Sequence, residues 1–312
     1  MMGDRGSCVA GTPDPESVIA GWHAHPAAAG SAEANALTID VEDYFQVEAF
    51  FNVIDRKSWD NFDCRVEANV ERILELLSDT GARATFFTLG WIAERHPGVV
   101  RAIVDMGHEL ASHGSDHRRA DSQTRAEFFA DVVRAKAILE DLSGYEVKGY
   151  RAPSFSVSKH NLWVMEDLAE AGYSYSSSTY PILHDNYGIP EGPRFAFHPV
   201  AESSFMEIPV TSLRMFGRNW PCGGGGYFRL LPCRLSAMAL AQVNREGRPC
   251  VFYLHPWEVD PDQPRISEAP LKSRLRHYLN LKKTQPRLAH LLHTFHWRRM
   301  DEVFLPPERP AQ

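Results

Sequence analysis

Between Ala36 and Leu254, short β-prone runs alternate with amphipathic helical stretches, and this alternation limits the possible folds more than any other feature. The runs are Ala36–Val41, Ala84–Leu89, His108–Ala111, Val147–Tyr150, Tyr173–Ser177, Phe205–Val210 and Val251–Leu254. Between the first two, Val66, Val70, Ile73, Leu74 and Leu77 fall on one helical face, stopped by Gly81. Pro97 precedes a second helix over Val99–Met106. Thr124 and Glu127 have capping-box spacing and open a third, to about Leu142 before Gly144. Ser158 can cap a helix through Ala171, closed by Gly172, and another covers Leu235–Glu246. Strands separated by helices call for crossover connections, hence a parallel α/β core.

With 312 residues, 44% of them hydrophobic, the chain can bury a full core. Residues 1–34 are rich in Gly, Ala, Pro and Ser without a hydrophobic period, and a disordered tail is expected there. The main unit then spans 35–262, and 263–312, basic and helix-prone before a Pro-rich end, is an extension packed on or near it. The net charge of -7 gives no reason to expect nucleic acid. Cys8, Cys64, Cys222, Cys233 and Cys250 are odd in number and lack a CxxC pair, so they read as reduced thiols. No apolar run approaches the ~18–20 residues of a membrane span. No charged segment followed by an apolar one opens the chain, so the expected compartment is the cytoplasm. Oligomeric state is set by no pattern here.

The reactive residues collect just past the strand runs. Asp40-Val41-Glu42-Asp43 closes the first, His113 and His117 follow another, Arg151 a third and His255 the last. In a parallel barrel those ends share one rim, where active sites form. An isolated His-x-x-x-His among fourteen histidines would read as surface residues; here its neighbours on the rim complete a chemistry. Two neutral imidazoles and one carboxylate hold a zinc-like ion and leave a position for water. A second carboxylate can take the water's proton, an arginine beside it keeps that base ionised, and a histidine can protonate a leaving amine. This is a kit for metal-assisted hydrolysis of an amide or ester. The four glycines 223–226 lead into Tyr227-Phe228-Arg229, not Lys-Ser/Thr, which argues against a phosphate-binding loop. Trp257, Trp220, Tyr227 and Phe155 can floor a sugar site or fill the core.

These motifs resemble the polysaccharide deacetylases of the NodB-like group, carbohydrate esterase family 4, over roughly 36–260. Asp40 with Glu42 or Asp43 is similar to the family's first motif, a base plus a metal ligand. His113-Gly114-Ser115-Asp116-His117 matches the second, Arg151-Ala152-Pro153-Ser154-Phe155 the third and Leu254-His255-Pro256 the last. Asp-Val-Glu-Asp-Tyr-Phe, Gly-Gly-Gly-Tyr-Phe-Arg and His-Pro-Trp-Glu resemble, more narrowly, the branch associated with exosortase and exopolysaccharide gene clusters.

The resemblance implies a distorted, incomplete (β/α) barrel with a helical C-terminal extension, and a divalent metal, Zn2+ first among candidates. Asp40 would be the base, His255 the acid and Arg151 the group that orients Asp40. His113 and His117 would be ligands with one of the two acids Asp43 and Glu42, Asp43 being favoured because family ligands sit just past the strand. Pro153, Phe155, Tyr227 and Trp257 would touch substrate. That substrate would be a polysaccharide or a lipid-linked oligosaccharide losing N-acetyl groups, the latter placing the chain at a membrane face. A cyclic amidase of the allantoinase type and a non-catalytic sugar-binding barrel are the alternatives. Three departures stand out. The usual adjacent acids are spread over Asp40–Asp43, Gly114 replaces a Ser or Thr, and Ser176 stands where an Asp often tunes the catalytic histidine.

Overall fold

A computed structural model describes residues 14–26 and 32–306. Its strands are β1 (Asn35–Val41), β2 (Thr85–Thr88), β3 (Glu109–Ser112), β4 (Gly149–Tyr150), β5 (Tyr175–Ser176), β6 (Met206–Glu207), β7 (Ser212–Met215), β8 (Arg218–Pro221), β9 (Val251–Leu254) and β10 (Trp297–Arg298). The helices are α1 (Pro15–Ala20), α2 (Val66–Thr80), α3 (Gly90–Arg95), α4 (Pro97–Asp105), α5 (Arg125–Ser143), α6 (Trp163–Glu170), α7 (Gly225–Leu230), α8 (Cys233–Arg245), α9 (Leu271–Tyr278), α10 (Leu281–Thr294) and α11 (Met300–Phe304).

Strands β1 to β6 pair parallel in chain order, and β9 pairs parallel with β1 on its other side. No ladder joins β6 to β9 among the described residues, so the sheet curls into an incomplete barrel with helices outside, as expected. Alternation along each strand sorts the side chains. Leu37, Ile39 and Val41 face the helices in the main core, while Thr38 and Asp40 both meet Arg151 inside the barrel. Thr124 and Glu127 form the expected capping box of α5. No helix of the described residues is long and apolar enough to cross a membrane, and Cys64, Cys222, Cys233 and Cys250 are free.

Two boundaries differ from expectation. Part of the expected tail is structured: Asp14 caps α1, and Ile19 and Trp22 pack on Ile189 and Phe197. Residues 1–13 and 27–31 lie outside the description. The C-terminal segment, expected to pack on or near the barrel, also enters its sheet. β10 pairs with the start of β1, Asn35 opposite Trp297, and the Met300 amide donates to Thr85 Oγ1 (2.8 Å).

That segment is held at the barrel base by Glu109, whose carboxylate accepts from Tyr175 Oη (2.9 Å), Thr85 Oγ1 (2.5 Å) and the Asp301 amide (3.2 Å). Burial, and then the Asp301 carboxylate, push the Glu109 carboxyl up to about 7. Between pH 4.5 and 7 the folded chain therefore keeps a proton that the unfolded chain releases, and stability falls as pH rises through that window. Glu109→Gln is expected to flatten this fall, with a difference on the order of 2–3 kcal/mol above pH 7 and little below pH 4.5. Urea unfolding as a function of pH checks it; parallel curves for the two chains would refute the assignment.

Candidate metal centre

Four strand ends deliver the site. The Asp40 carboxylate is buried, and its Oδ1 accepts from Arg151 Nη1 at 2.6 Å. Arg151 is fully buried, donates also to Thr38 Oγ1 (2.8 Å), Ser177 O (3.0 Å) and Ser177 Oγ (2.9 Å), and lies over the Phe87 ring at 4.1 Å. A guanidinium fixed by that many acceptors can hold the Asp40 carboxyl group aimed into the site.

Glu42, His113 and His117, all buried, bring three potential ligand atoms within 4.8 Å of one another. The His113 Nδ1–H donates to the Arg151 carbonyl (2.9 Å), which fixes the tautomer and leaves Nε2 free to ligate. Burial drives the His113 imidazole down to about 4, so it is neutral, as a ligand must be. His117 sits at φ 56°, its loop anchored by Arg56, which donates to the carbonyls of Asp116 (2.9 Å) and His117 (2.8 Å). Its Nε2 lies 2.6 Å from Glu42 Oε2, yet that oxygen makes no hydrogen bond. Burial alone would raise the Glu42 carboxyl, but the imidazoles of His117, His255 and His113 hold it down at about 2. An ionised, orphaned carboxylate oxygen beside two imidazoles fits a small divalent cation, and a set of two histidines and one carboxylate leaves room for a further ligand.

Asp43, the acid favoured from sequence, does not join this group. Its carboxylate accepts from the amides of Tyr44 (2.7 Å) and Val66 (2.9 Å), and from that of Arg65, so it caps α2. Glu42 is the first residue past β1, and its amide donates back to the Asp40 carbonyl at 3.0 Å, a tight turn at the strand end. Gly114 also has a physical reason: it sits at φ 78°, where a Cβ would come 3.0 Å from Asp131 Oδ2.

Across the site, His255 Nε2 lies 3.5 Å from Glu42 Oε1 and 3.9 Å from Asp40 Oδ2. Ser176 has no part in tuning it: the Ser176 hydroxyl pairs with Ser178 Oγ at 2.7 Å. The partner of His255 Nδ1 is Glu258 Oε1, 2.7 Å away, a residue the sequence reading did not single out. Glu258 Oε2 accepts from the buried Arg229 Nε at 2.6 Å. Burial would lower the His255 imidazole, but Glu42, Glu258 and Asp40 raise it to about 9, the state of a proton donor. The glycine run makes this pair possible. At Gly224 (φ 119°) a Cβ would stand 1.9 Å from the Tyr253 carbonyl oxygen, so only glycine lets the chain press on β9 and place Arg229 beside Glu258.

The expected substrate contacts divide. Trp257 is buried, one face stacked on His277 (4.1 Å) and the ring also on His255 (5.2 Å), while its Nε1 donates to Glu42 Oε1 (3.2 Å). It supports the centre and offers no face to a sugar. Pro153 and Phe155 are buried in the wall, Phe155 against Tyr253 at 5.0 Å. Tyr227 is half-exposed and 6.4 Å from His184.

Comparison with known proteins places this geometry. Residues 53–176 match the polysaccharide deacetylase family profile, and residues 177–305 match a profile described as a domain of unknown function, DUF3473. The second match contains β6, β9 and β10, so one barrel is built from both regions. The peptidoglycan-N-acetylglucosamine deacetylase PgdA of Listeria monocytogenes serotype 1/2a is 28% identical over 117 residues, 38% of this chain and 24% of that protein. The matched segment is thus about a quarter of that relative's length. Among solved structures, a protein from Mycobacterium smegmatis described as a putative polysaccharide deacetylase superposes with a TM-score of 0.58 at 20% identity, covering 93% of this chain and 99% of that one. PuuE allantoinase gives 0.56 at 16% identity, covering 94% and 93%. Both likenesses concern the fold. The profile match and the ordered motifs assign residues 53–176 to the polysaccharide deacetylases of the NodB-like group, carbohydrate esterase family 4, and the curled parallel sheet that the rest of the chain completes has the same fold.

Proposed function

We propose that this chain is a metal-dependent amide hydrolase that removes N-acetyl groups from amino sugars of a polysaccharide or its lipid-linked precursor. The observation that carries the reading is the Glu42–His113–His117 cluster, with Arg151-clamped Asp40 on one side and His255 on the other. Those three residues would hold the ion, and the mixed nitrogen and oxygen set suits Zn2+. When bound, a divalent ion there polarises the acetyl carbonyl and acidifies water. Asp40 takes the proton of the attacking water, with Arg151 orienting its carboxylate. His255 Nε2 gives a proton to the departing amine, and Glu258 holds the ring so that Nε2 faces the centre. An exopolysaccharide is the substrate the narrower sequence resemblance suggests.

Acetate release from N-acetylated chito-oligomers is the direct test, abolished by a chelator and restored by Zn2+. Turnover of allantoin instead, without acetate, would favour the cyclic-amidase chemistry; binding of oligosaccharide by the metal-loaded chain without turnover would favour a sugar-binding barrel. Glu258→Gln is expected to lower turnover ~10–10²-fold with metal content unchanged, the usual cost of losing the carboxylate behind a working histidine. Single-turnover rates and metal analysis check this. Unaltered turnover would remove Glu258 from the mechanism.

A further inference from the structure

Phe216 stands at the tip of the β7–β8 hairpin, 88% exposed and held at φ 51°. Its two-residue loop continues with Gly217 at φ 74°, a turn that Asn-Gly or Asp-Gly fills at least cost, whereas a bulky residue rarely adopts this conformation. Met215 and Trp220 beside it are exposed as well. The hairpin is tied to the 181–187 loop, Asn219 Nδ2 donating to the Pro181 carbonyl at 2.7 Å, and Leu183 in that loop is 85% exposed. The same loop is tied to α9 through Asp185, which pairs with Lys272 (3.1 Å) and Arg276 (3.5 Å).

Helix α9 shows solvent an apolar stripe. Leu271 and Leu275, one turn apart, are 67% and 63% exposed, while His277 on its other side is buried. Six large apolar side chains therefore lie exposed on three joined elements. The ridge adjoins the site: His184 stacks on Tyr187 (3.9 Å), Tyr187 meets Phe155 (5.7 Å), and Phe155 meets Tyr253, which lies 5.7 Å from His255.

Charge says what covers the ridge. The hairpin carries Arg214 and Arg218 with no acid between them, and α9 carries Lys272, Arg274 and Arg276 against the one acid of the 181–187 loop, Asp185. This basic rim belongs to a chain of net charge -7, so its sign runs against the whole. Leu183, Leu271 and Leu275 have no flat face for a sugar ring. Exposed Leu, Phe and Trp flanked by Lys and Arg are the composition of a surface that lies in a bilayer interface, where anionic headgroups attract the basic rim.

We infer that this ridge docks the chain reversibly on an anionic lipid bilayer, beside the aromatic wall of the site. The inference does not depend on which reaction the site performs. The test is co-sedimentation of the full chain with vesicles of phosphatidylglycerol and phosphatidylcholine, against vesicles of phosphatidylcholine alone. Binding is expected to the anionic vesicles and to fall at high salt. The triple variant F216S/L271S/L275S should weaken it at least about tenfold, and R214Q/R218Q severalfold, all these side chains being exposed and the thermal unfolding midpoint unchanged. If the triple variant does not fold, the arginine variant and the salt dependence still decide. Absence of binding to anionic vesicles overturns the inference, as does equal binding to both kinds. Self-association of the chain that vanishes in the triple variant also overturns it, since a second copy would then cover the ridge.

Discussion

Asp40→Asn is expected to leave the metal in place and to reduce turnover by about 10²–10⁴-fold, the usual reach of general base catalysis. The geometry separates the two readouts. Asp40 is not one of the three clustered ligand residues, and its Oδ1 is committed to Arg151 Nη1 at 2.6 Å. Asparagine has the same shape and can offer its carbonyl oxygen to that guanidinium. Arg151 would stay where Thr38 and Ser177 already hold it. The amide nitrogen then replaces Oδ2, the oxygen 3.9 Å from His255 Nε2 on the side of the centre. A nitrogen with two hydrogens cannot accept the proton of an attacking water, so the chemical step fails while the ion stays bound. Metal content by atomic emission and acetate release from the same preparation decide the matter. Loss of the ion in Asp40→Asn would make Asp40 a ligand and move the role of base elsewhere.

Much of this centre was legible in the sequence because strand ends carry their own punctuation. Asp40, His113, Arg151 and His255 each follow a short β-prone run, and the parallel arrangement puts those ends on one rim. The structure keeps that placement and adds inward parity: Thr38 with Asp40, Ala111 with His113, Tyr253 with His255. What sequence could not supply was any relation fixed by a turn. Glu258 reaches His255 only because Pro256 opens a single 3-10 turn over Pro256–Val259, which brings the carboxylate back to Nδ1. The i, i+3 spacing in His-Pro-Trp-Glu was the available signal. Arg229 closes the Gly-Gly-Gly-Tyr-Phe-Arg motif, but no local spacing ties it to Glu258, which lies 29 positions away in the chain.

The elements missed were those too short to show a period. β10 has two residues, and α1 has six with Ile19 as its one buried side chain. Trp257 illustrates a different limit. An aromatic next to a catalytic histidine suits a sugar floor and a core equally well in sequence, and only the stacking of His277 on its face distinguishes them.

Glu42→Ala is expected to empty the centre and abolish turnover, while Asp43→Ala keeps both and weakens the fold. Removing Glu42 deletes the only carboxylate of the three-residue cluster and leaves His113 and His117, two neutral donors, too few to retain a divalent ion against a chelator. It also removes the acceptor of the Trp257 indole N–H at 3.2 Å. Activity should drop by about 10³-fold or more, in line with metal content, because the ion's polarising role is lost along with it. Asp43 answers to a different physics. It is fully buried, and burial raises its carboxyl, yet it gathers the amides of Tyr44 and Val66 and that of Arg65 at the start of α2. Alanine leaves those donors without an acceptor at the positive end of the helix, a loss of about 1–2 kcal/mol of stability, typical of removing a cap. Metal analysis and urea unfolding of the two variants side by side give opposite patterns on this assignment. An Asp43→Ala chain that loses its metal at unchanged stability would return the third ligand to Asp43.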